Sequence, residues 1–311
     1  MINRDLIRLK VVQLIYAYYQ NEDRPLNVVM QELDYSLQKA HELYLFLLTT
    51  LAEIRELAEK HVEVHLQHNQ RLGIRVEAPL PDQYIAENKF LQQLSDNDAL
   101  IEYREKRKQE WDDEEVLVKN TLKAITDSEI LSIYIENGVF DYEADRELVR
   151  KLYKAFVMNN EEYDALLEEH GIYWNDDKEI IDSFVIKTIK RFEPENGSSQ
   201  ELLPAFSNEE DQDFAHKLFK EVIARGEETR GLIRDNCKNW EFNRLAFMDI
   251  IITQIAITEI MIFPNIPISV SFNEYLDIAK VYSTPKSSSY INGLLDHIVK
   301  KLKEEQIILK N

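Results

Sequence analysis

Three histidines, His61, His65 and His68, stand at i, i+4 and i+7, a spacing that puts imidazoles on one helix face and could offer them to a metal ion. In His61-Val-Glu-Val-His65 the carboxylate is displaced by one position from the zinc-protease pattern. With Glu59 and Glu63 beside them, the histidines read more economically as a solvated face, and no metal is expected. Carboxylates suited to acid–base work cluster in Asp112-Asp113-Glu114-Glu115 and in Glu209-Glu210-Asp211. Each cluster precedes an apolar helical run, where acids complement the helix dipole. Ser287-Ser288-Ser289 could suggest a nucleophile, but capping a helix start explains it more simply. No nucleophile, base and orienting group come together in the pattern, so the chain reads as a non-enzyme without cofactors. Binding chemistry is better supplied. Tyr290 follows Lys286 and the serines at a loop-to-helix start, where an unpaired base can stack on the ring. The lysine and the helix N–H groups there can hold phosphate.

Helices must position these side chains, because the composition supplies little else. Only 7 of 311 residues are glycine and 8 are proline, too few for the many turns of β or α/β folds. Apolar residues make up 44% of the chain, enough to bury a sizeable core. The expected class is all-α. No Gly-x-Gly-x-x-Gly occurs, and Gly226 and Gly231, at P-loop spacing, are followed by Leu232 and Ile233 instead of Lys and Ser/Thr. The single cysteine, Cys237, excludes a disulfide framework and fits a reducing compartment. Arg4, Asp5, Arg8 and Lys10 interrupt the start, so no secretory signal is expected. The most apolar window, 245–263, contains Asp249, Gln254 and Glu259 and reads as a buried helix, not a membrane span. A cytoplasmic protein is expected.

The formal net charge is −20, which seems to argue against nucleic acid, but it is unevenly spread. Residues 128–213 hold 22 acids against 8 bases, whereas from residue 279 onward 6 lysines face 3 acids. Screening beyond ~8 Å at physiological salt keeps a distant acidic block from cancelling a local basic patch. The block is too apolar for a tail: Ile130, Ile133, Tyr134, Leu148, Leu152, Tyr153, Phe156 and Leu166 give it helical core faces. It is expected to fold as a helical insertion that attracts basic partners.

The first helix is expected from an Asn3 cap to about residue 20, with Ile7, Val11, Leu14, Ile15 and Tyr18 on one face and Leu6, Leu9 and Tyr16 on the other. A helix apolar on two sides is central in a bundle. Arg4 and Arg8 sit one turn apart at its rim. Further helices are expected at about 26–37 and 40–67. Several more fill 82–191, with caps at Asp96, Asp112, Asp127, Asp141 and Asn159. Residues 192–208, with two prolines and Asn196-Gly-Ser-Ser, are the best linker candidate. Helices resume at about 209–234, 241–262, 269–281 and 287–303. The expected division is 1–208, a bundle enlarged over 21–208 by the acidic region, and 209–311, a second bundle.

The stretch Trp240-Glu-Phe-Asn-Arg244-Leu245, then Asp249 and Ala256-Ile-Thr-Glu259-Ile260, resembles the NusB family. So do Pro267, Val270, Asn273-Glu274, Ala279-Lys280 and Tyr290-Ile-Asn-Gly-Leu-Leu-Asp296 in their order and spacing. Arg4…Arg8…Val12-Gln13-Leu14-Ile15-Tyr16 is similar to the family's first helix, and Phe214, Leu218, Val222 and Leu232-Ile233 to the helix pair before the Trp. The resemblance covers about 1–20 and 209–303, and the chain is a long variant with an enlarged acidic middle region.

The resemblance implies two small helical bundles bridged by the first helix. It further implies an RNA-binding transcription antitermination factor that binds single-stranded boxA RNA together with the ribosomal protein NusE in the elongation complex. Carried over residue by residue, Arg4, Arg8, Lys10, Lys286, Ser287 and Tyr290 would face RNA, and Tyr16 and Glu259 would face NusE. Departures are a sparser N-terminal basic run, Gln254 where Arg is common, Lys286 where some members carry an acid, and the length of 21–208. The family's fold also occurs ahead of RNA methyltransferases, but the Gly-poor sequence leads to the expectation of a binding factor without a methyltransferase domain. The sparse basic run and the acidic middle leave a second reading open, a protein–protein adaptor with little RNA binding of its own. An enzyme in the middle region has only the histidine triplet behind it.

Overall fold

The computed structural model describes residues 1–21, 24–75, 78–107, 115–158, 160–170, 172–206, 208–237 and 245–309. Among these it is all-α, and the extended contact is an isolated parallel bridge between Ile2 and Phe206. The chain divides into two compact units: unit 1 comprises Met1–Gln38 and Ala205–Asn311, and unit 2 comprises Lys39–Pro204. The cut therefore lies elsewhere than the 1–208/209–311 division expected from sequence, and it groups the first helix with the C-terminal ones. The reason is packing: α1 (Arg4–Gln20) buries side chains on both faces, and its contacts are with α12 (Glu209–Ala224), α14 (Phe247–Ile262) and α15 (Ile268–Tyr282).

Unit 1 is organised around α14, where every residue from Asp249 to Ile260 is buried. Such a helix is apolar all round because neighbours surround it: α1, α12, α13 (Gly226–Asn236), α15 and α16 (Ser287–Glu304) all contact it. Each fully buried isoleucine there contributes on the order of 1.5–3 kcal/mol. Asn3 caps α1, its Oδ1 accepting from the Leu6 N–H at 3.0 Å. The single helix expected at 209–234 is two. It breaks at Arg225, and a Cβ on Gly226 would stand 2.8 Å from the Tyr19 hydroxyl, so a larger residue there would have to displace that side chain.

Unit 2 takes α2 (Leu26–Leu72) from Lys39 onward. The sequence pattern suggests two helices here, but Gln38-Lys39-Ala40 contains only helix formers, so nothing ends the first. The rest comprises α3 (Pro81–Ala86), α4 (Lys89–Ser95), α5 (Asp98–Lys106), α6 (Glu115–Thr126), α7 (Glu129–Asn137), α8 (Tyr142–Tyr153), α9 (Glu161–His170), α10 (Ile172–Asn175) and α11 (Lys178–Arg191). A π-helical turn, Lys154–Met158, continues α8, and a 3₁₀ turn spans Pro194–Ser199. Asp141 is a helix cap as expected, while Asn97 and Ser128 replace their neighbours Asp96 and Asp127; Asp112 and Asn159 lie outside the described residues. The expected linker is anchored: Gln93 donates to the Glu193 and Gly197 carbonyls, Asn97 to those of Ser198 and Gln200, and Phe192 is fully buried.

His61 Nδ1 pairs with Asp82 Oδ1 at 2.9 Å and His65 Nε2 with Asn69 Nδ2 at 2.8 Å, so two of the three imidazoles are occupied locally. Among the described residues no three His, Cys, Asp or Glu side chains are grouped to hold a metal ion. No helix among them is long and apolar enough to cross a membrane.

Candidate nucleic-acid interface

Two carboxylates on α14 organise the residues singled out from sequence. Glu259, in the middle of the apolar run, is fully buried. Arg8 meets it with two N–H groups, Nε to Oε2 at 2.9 Å and Nη2 to Oε1 at 3.0 Å. Ser271 Oγ donates to Oε1 at 2.7 Å and the Tyr275 hydroxyl to Oε2 at 2.8 Å. Four donors thus satisfy a carboxylate that burial alone would make very costly. Burial drives the Tyr275 phenol well above its ordinary range, and the charge of Glu259 adds to this. Nη1 of Arg8 lies 3.5 Å from Asp5 and 3.8 Å from Glu274. Burial, with Asp5 alongside, pushes the Glu274 carboxyl up to about 7.

This geometry corrects three expectations. Arg8 is 2% exposed, Lys10 is fully buried and Glu259 is fully buried, so none of them presents a surface to RNA or to a partner. Helical spacing alone puts Arg8 at the rim, but a buried carboxylate 251 positions away draws it inside. Arg4 keeps a partly exposed side chain, yet its Nε donates to Asp211 at 3.1 Å and its guanidinium lies 5.0 Å from the Phe214 ring centre. The first helix therefore offers little basic surface.

The second carboxylate, Asp249, builds a different structure one end of α14 away. It accepts from Ser283 Oγ at 2.5 Å and from Ser287 Oγ at 2.9 Å. Ser287 Oγ also accepts from the Thr284 N–H at 3.2 Å and bonds the Thr284 hydroxyl at 2.7 Å. Ser287 is thus buried and is neither an RNA contact nor a side-chain cap; it is a tie that fixes the turn Ser283–Lys286 onto α14. The fixed turn leaves Lys286 and Ser289 exposed at the start of α16, with Tyr290 half-buried beside them. The Tyr290 hydroxyl lies 3.4 Å from Cys237 Sγ, and burial pushes its phenol upward. Leu245, Ala246, Pro285, Lys286, Ser289 and Tyr290 line an open cleft of about 610 Å³. A cation, helix N–H groups and an aromatic ring converge there, and Asp249, which also lines the cleft, has its two oxygens turned to Ser283 and Ser287.

Tyr16 is 37% exposed and lies on a separate aromatic surface. Its ring centre is 5.5 Å from that of Phe247, which in turn is 6.5 Å from Tyr19, and Arg230 lies 4.5 Å over the Tyr19 ring. Gln254 donates to the Tyr19 hydroxyl at 2.8 Å. Sequence reasoning named Asp249 without its bracing role, and missed the Tyr19–Phe247–Arg230 group. The signal for Asp249 was present, since a carboxylate inside an apolar window needs donors. Trp240, Glu241, Phe242, Asn243 and Arg244, which carried part of the resemblance, lie outside the described residues.

The unit is all-helical, with a carboxylate-braced turn that presents a lysine and a tyrosine at an open cleft. The NusB family model matches residues 183–300. The transcription antitermination protein NusB of Salinibacter ruber is 35% identical over 127 residues, covering 39% of this chain and 79% of that protein. The protein of that name from Chloroherpeton thalassium is 37% identical over 100 residues, 32% of this chain and 47% of its own length. The one from Natranaerobius thermophilus is 46% identical over 65 residues, 21% and 47% respectively. The chain belongs to the NusB family. No solved structure matches it significantly.

Proposed function

We propose that this chain is a non-enzymatic transcription antitermination factor that binds boxA-type single-stranded RNA together with NusE. The observation that supports this best is the Asp249-braced turn, which holds Lys286, Ser289 and Tyr290 at an open cleft. Phosphate would meet Lys286 and the first N–H groups of α16, and a base would stack on Tyr290. Arg4, partly exposed but paired with Asp211, would add a second, weaker cation; Arg8 and Lys10 act from inside as structure. Tyr16, with Phe247 and Tyr19 around it, is the surface offered to NusE.

The burial of Arg8 and Lys10 favours one alternative, an adaptor that docks proteins and binds RNA only weakly. Fluorescence anisotropy with labelled boxA RNA, with and without NusE, separates the two. RNA affinity that rises with NusE and falls in Lys286→Ala supports the antitermination reading. NusE binding with no RNA affinity in either mixture supports the adaptor.

A further inference from the structure

Unit 2 carries an exposed apolar corner that the RNA reading does not use. α7 ends at Gly138, whose φ of 65° is the left-handed conformation that turns the chain sharply into α8. The turn presents Val139 and Phe140, 52% and 44% exposed, beside Ile133 at 48%. One exposed apolar residue is ordinary; two in succession on a pinned turn, with a third on the helix that leads into it, are not. The ring centres of Tyr84 and Tyr134 each lie 5.4 Å from that of Phe140. Lys89 Nζ donates to the Phe140 carbonyl at 2.7 Å, and Asp141 caps α8 at 2.8 Å. Buried Asp145 accepts from the Tyr134 hydroxyl and from the Lys89 N–H, holding the supporting ring and helix in place. The aromatic edge is therefore fixed before any partner arrives, which lowers the ordering cost of binding.

Its surroundings select the partner. Residues 127–143 contain five acids and no lysine or arginine. Glu129, Ile133 and Glu136 share the exposed face of α7 at i, i+4 and i+7. Lys89 brings one positive charge, engaged by the Phe140 carbonyl. Unit 2 as a whole holds 36 acids against 20 bases. That sign repels RNA, anionic lipid and a second copy of the same corner. A cationic polypeptide is attracted by it, and arginine suits it best, because a guanidinium stacks on an aromatic face while donating to carboxylates.

We propose that the Phe140 corner is a docking site for an arginine-rich protein segment, with Phe140 and Tyr84 receiving apolar carbon or guanidinium and Glu129, Glu136 and Asp141 receiving the charges. The test uses the full chain and a labelled peptide of arginine and leucine at helical spacing, titrated beside a glutamate–leucine twin and a single-stranded RNA oligonucleotide. The arginine peptide should bind saturably, and the twin and the RNA should not displace it. Phe140→Ala should weaken binding about tenfold or more, as truncation of an interface anchor does, with circular dichroism and melting unchanged. Glu129→Gln with Glu136→Gln should weaken it several-fold at low salt and less at high salt. If Phe140→Ala melts early, Val139→Ser, at a more exposed side chain, repeats the measurement. Failure of the peptide to bind the parent chain, or wild-type affinity in a folded Phe140→Ala or Val139→Ser chain, overturns the proposal. So does sedimentation showing self-association that Phe140→Ala abolishes.

Discussion

Two acids ten positions apart on one helix treat their neighbours in opposite ways. Glu259 draws Arg8 out of the surface and seals it with Ser271 and Tyr275. Asp249 takes its donors from Ser283 and Ser287, both neutral, and so leaves Lys286 outside. A buried carboxylate must be met by something. If a cation meets it, that cation becomes structure; if hydroxyls meet it, a nearby cation stays available for a ligand. The comparison shows why basic residues at both chain ends, equivalent as letters, have different chemical roles.

The largest expected effect breaks the sealed side. Arg8→Met strands Glu259 in a buried site and should lower stability by about 3–5 kcal/mol in denaturant titration. RNA affinity of the fraction still folded should be unchanged; a loss of affinity without a loss of stability would put Arg8 on the RNA instead. Asp249→Ala tests the open side. It removes the acceptor of two hydroxyls and should reduce stability by about 1–3 kcal/mol. RNA affinity should fall with it, since the turn is no longer held. Tyr290→Ala should cost about 1–3 kcal/mol of RNA binding with little change in melting, while Tyr290→Phe should be close to neutral in affinity.

The salt dependence of RNA binding sharpens the same contrast. Were Arg4, Arg8, Lys10 and Lys286 all on phosphates, the log–log slope would be about −3. With only Arg4 and Lys286 reachable it should be about −1.4, at roughly −0.7 per phosphate on a single strand, and Lys286→Ala should halve it. The smallest effect concerns pH. Glu274 has its folded pKa raised from 4.5 to about 7, so between these values the folded chain holds a proton that the unfolded chain has released. Stability from this group therefore falls as pH rises from about 4.5 to about 7 and is level above. Screening at a side chain one-third exposed holds the effect to about 1 kcal/mol. Glu274→Gln should flatten that slope in melting curves taken across the range.

Helical periodicity makes much of the fold legible in the amino-acid sequence. The two-sided burial of α1, the buried character of 245–263, and the caps at Asn3 and Asp141 all follow from local pattern, because each depends on residues a few positions apart. Long-range pairing does not follow from it. Arg8 looks like a rim residue until Glu259 is set beside it, and Ser287 looks like a cap until Asp249 is. Both partners are visible as acids within an apolar window, a conflict that only distant donors could resolve. The close approach at Gly226 is hidden for the same reason, since it depends on the Tyr19 hydroxyl lying against it. The division into units escapes local pattern because the helix grouping that joins α1 to the last five helices skips unit 2 entirely.

That skip has a consequence for how the molecule is made. The ribosome releases Met1–Gln38 first, then all of unit 2, and only afterwards Ala205–Asn311. At about 5–20 residues per second, roughly ten seconds or more of translation separates Arg8 from Glu259. Through that interval α1 has an apolar surface on two sides and a cation whose buried counter-ion, Glu259, does not yet exist. Unit 2, whose segments are contiguous, can mature on its own while this nascent helix waits. Slow closure of a contact 251 positions apart follows. An incomplete chain is accordingly the species expected to expose the most unsatisfied surface, and a pause in translation near residue 205 would prolong it.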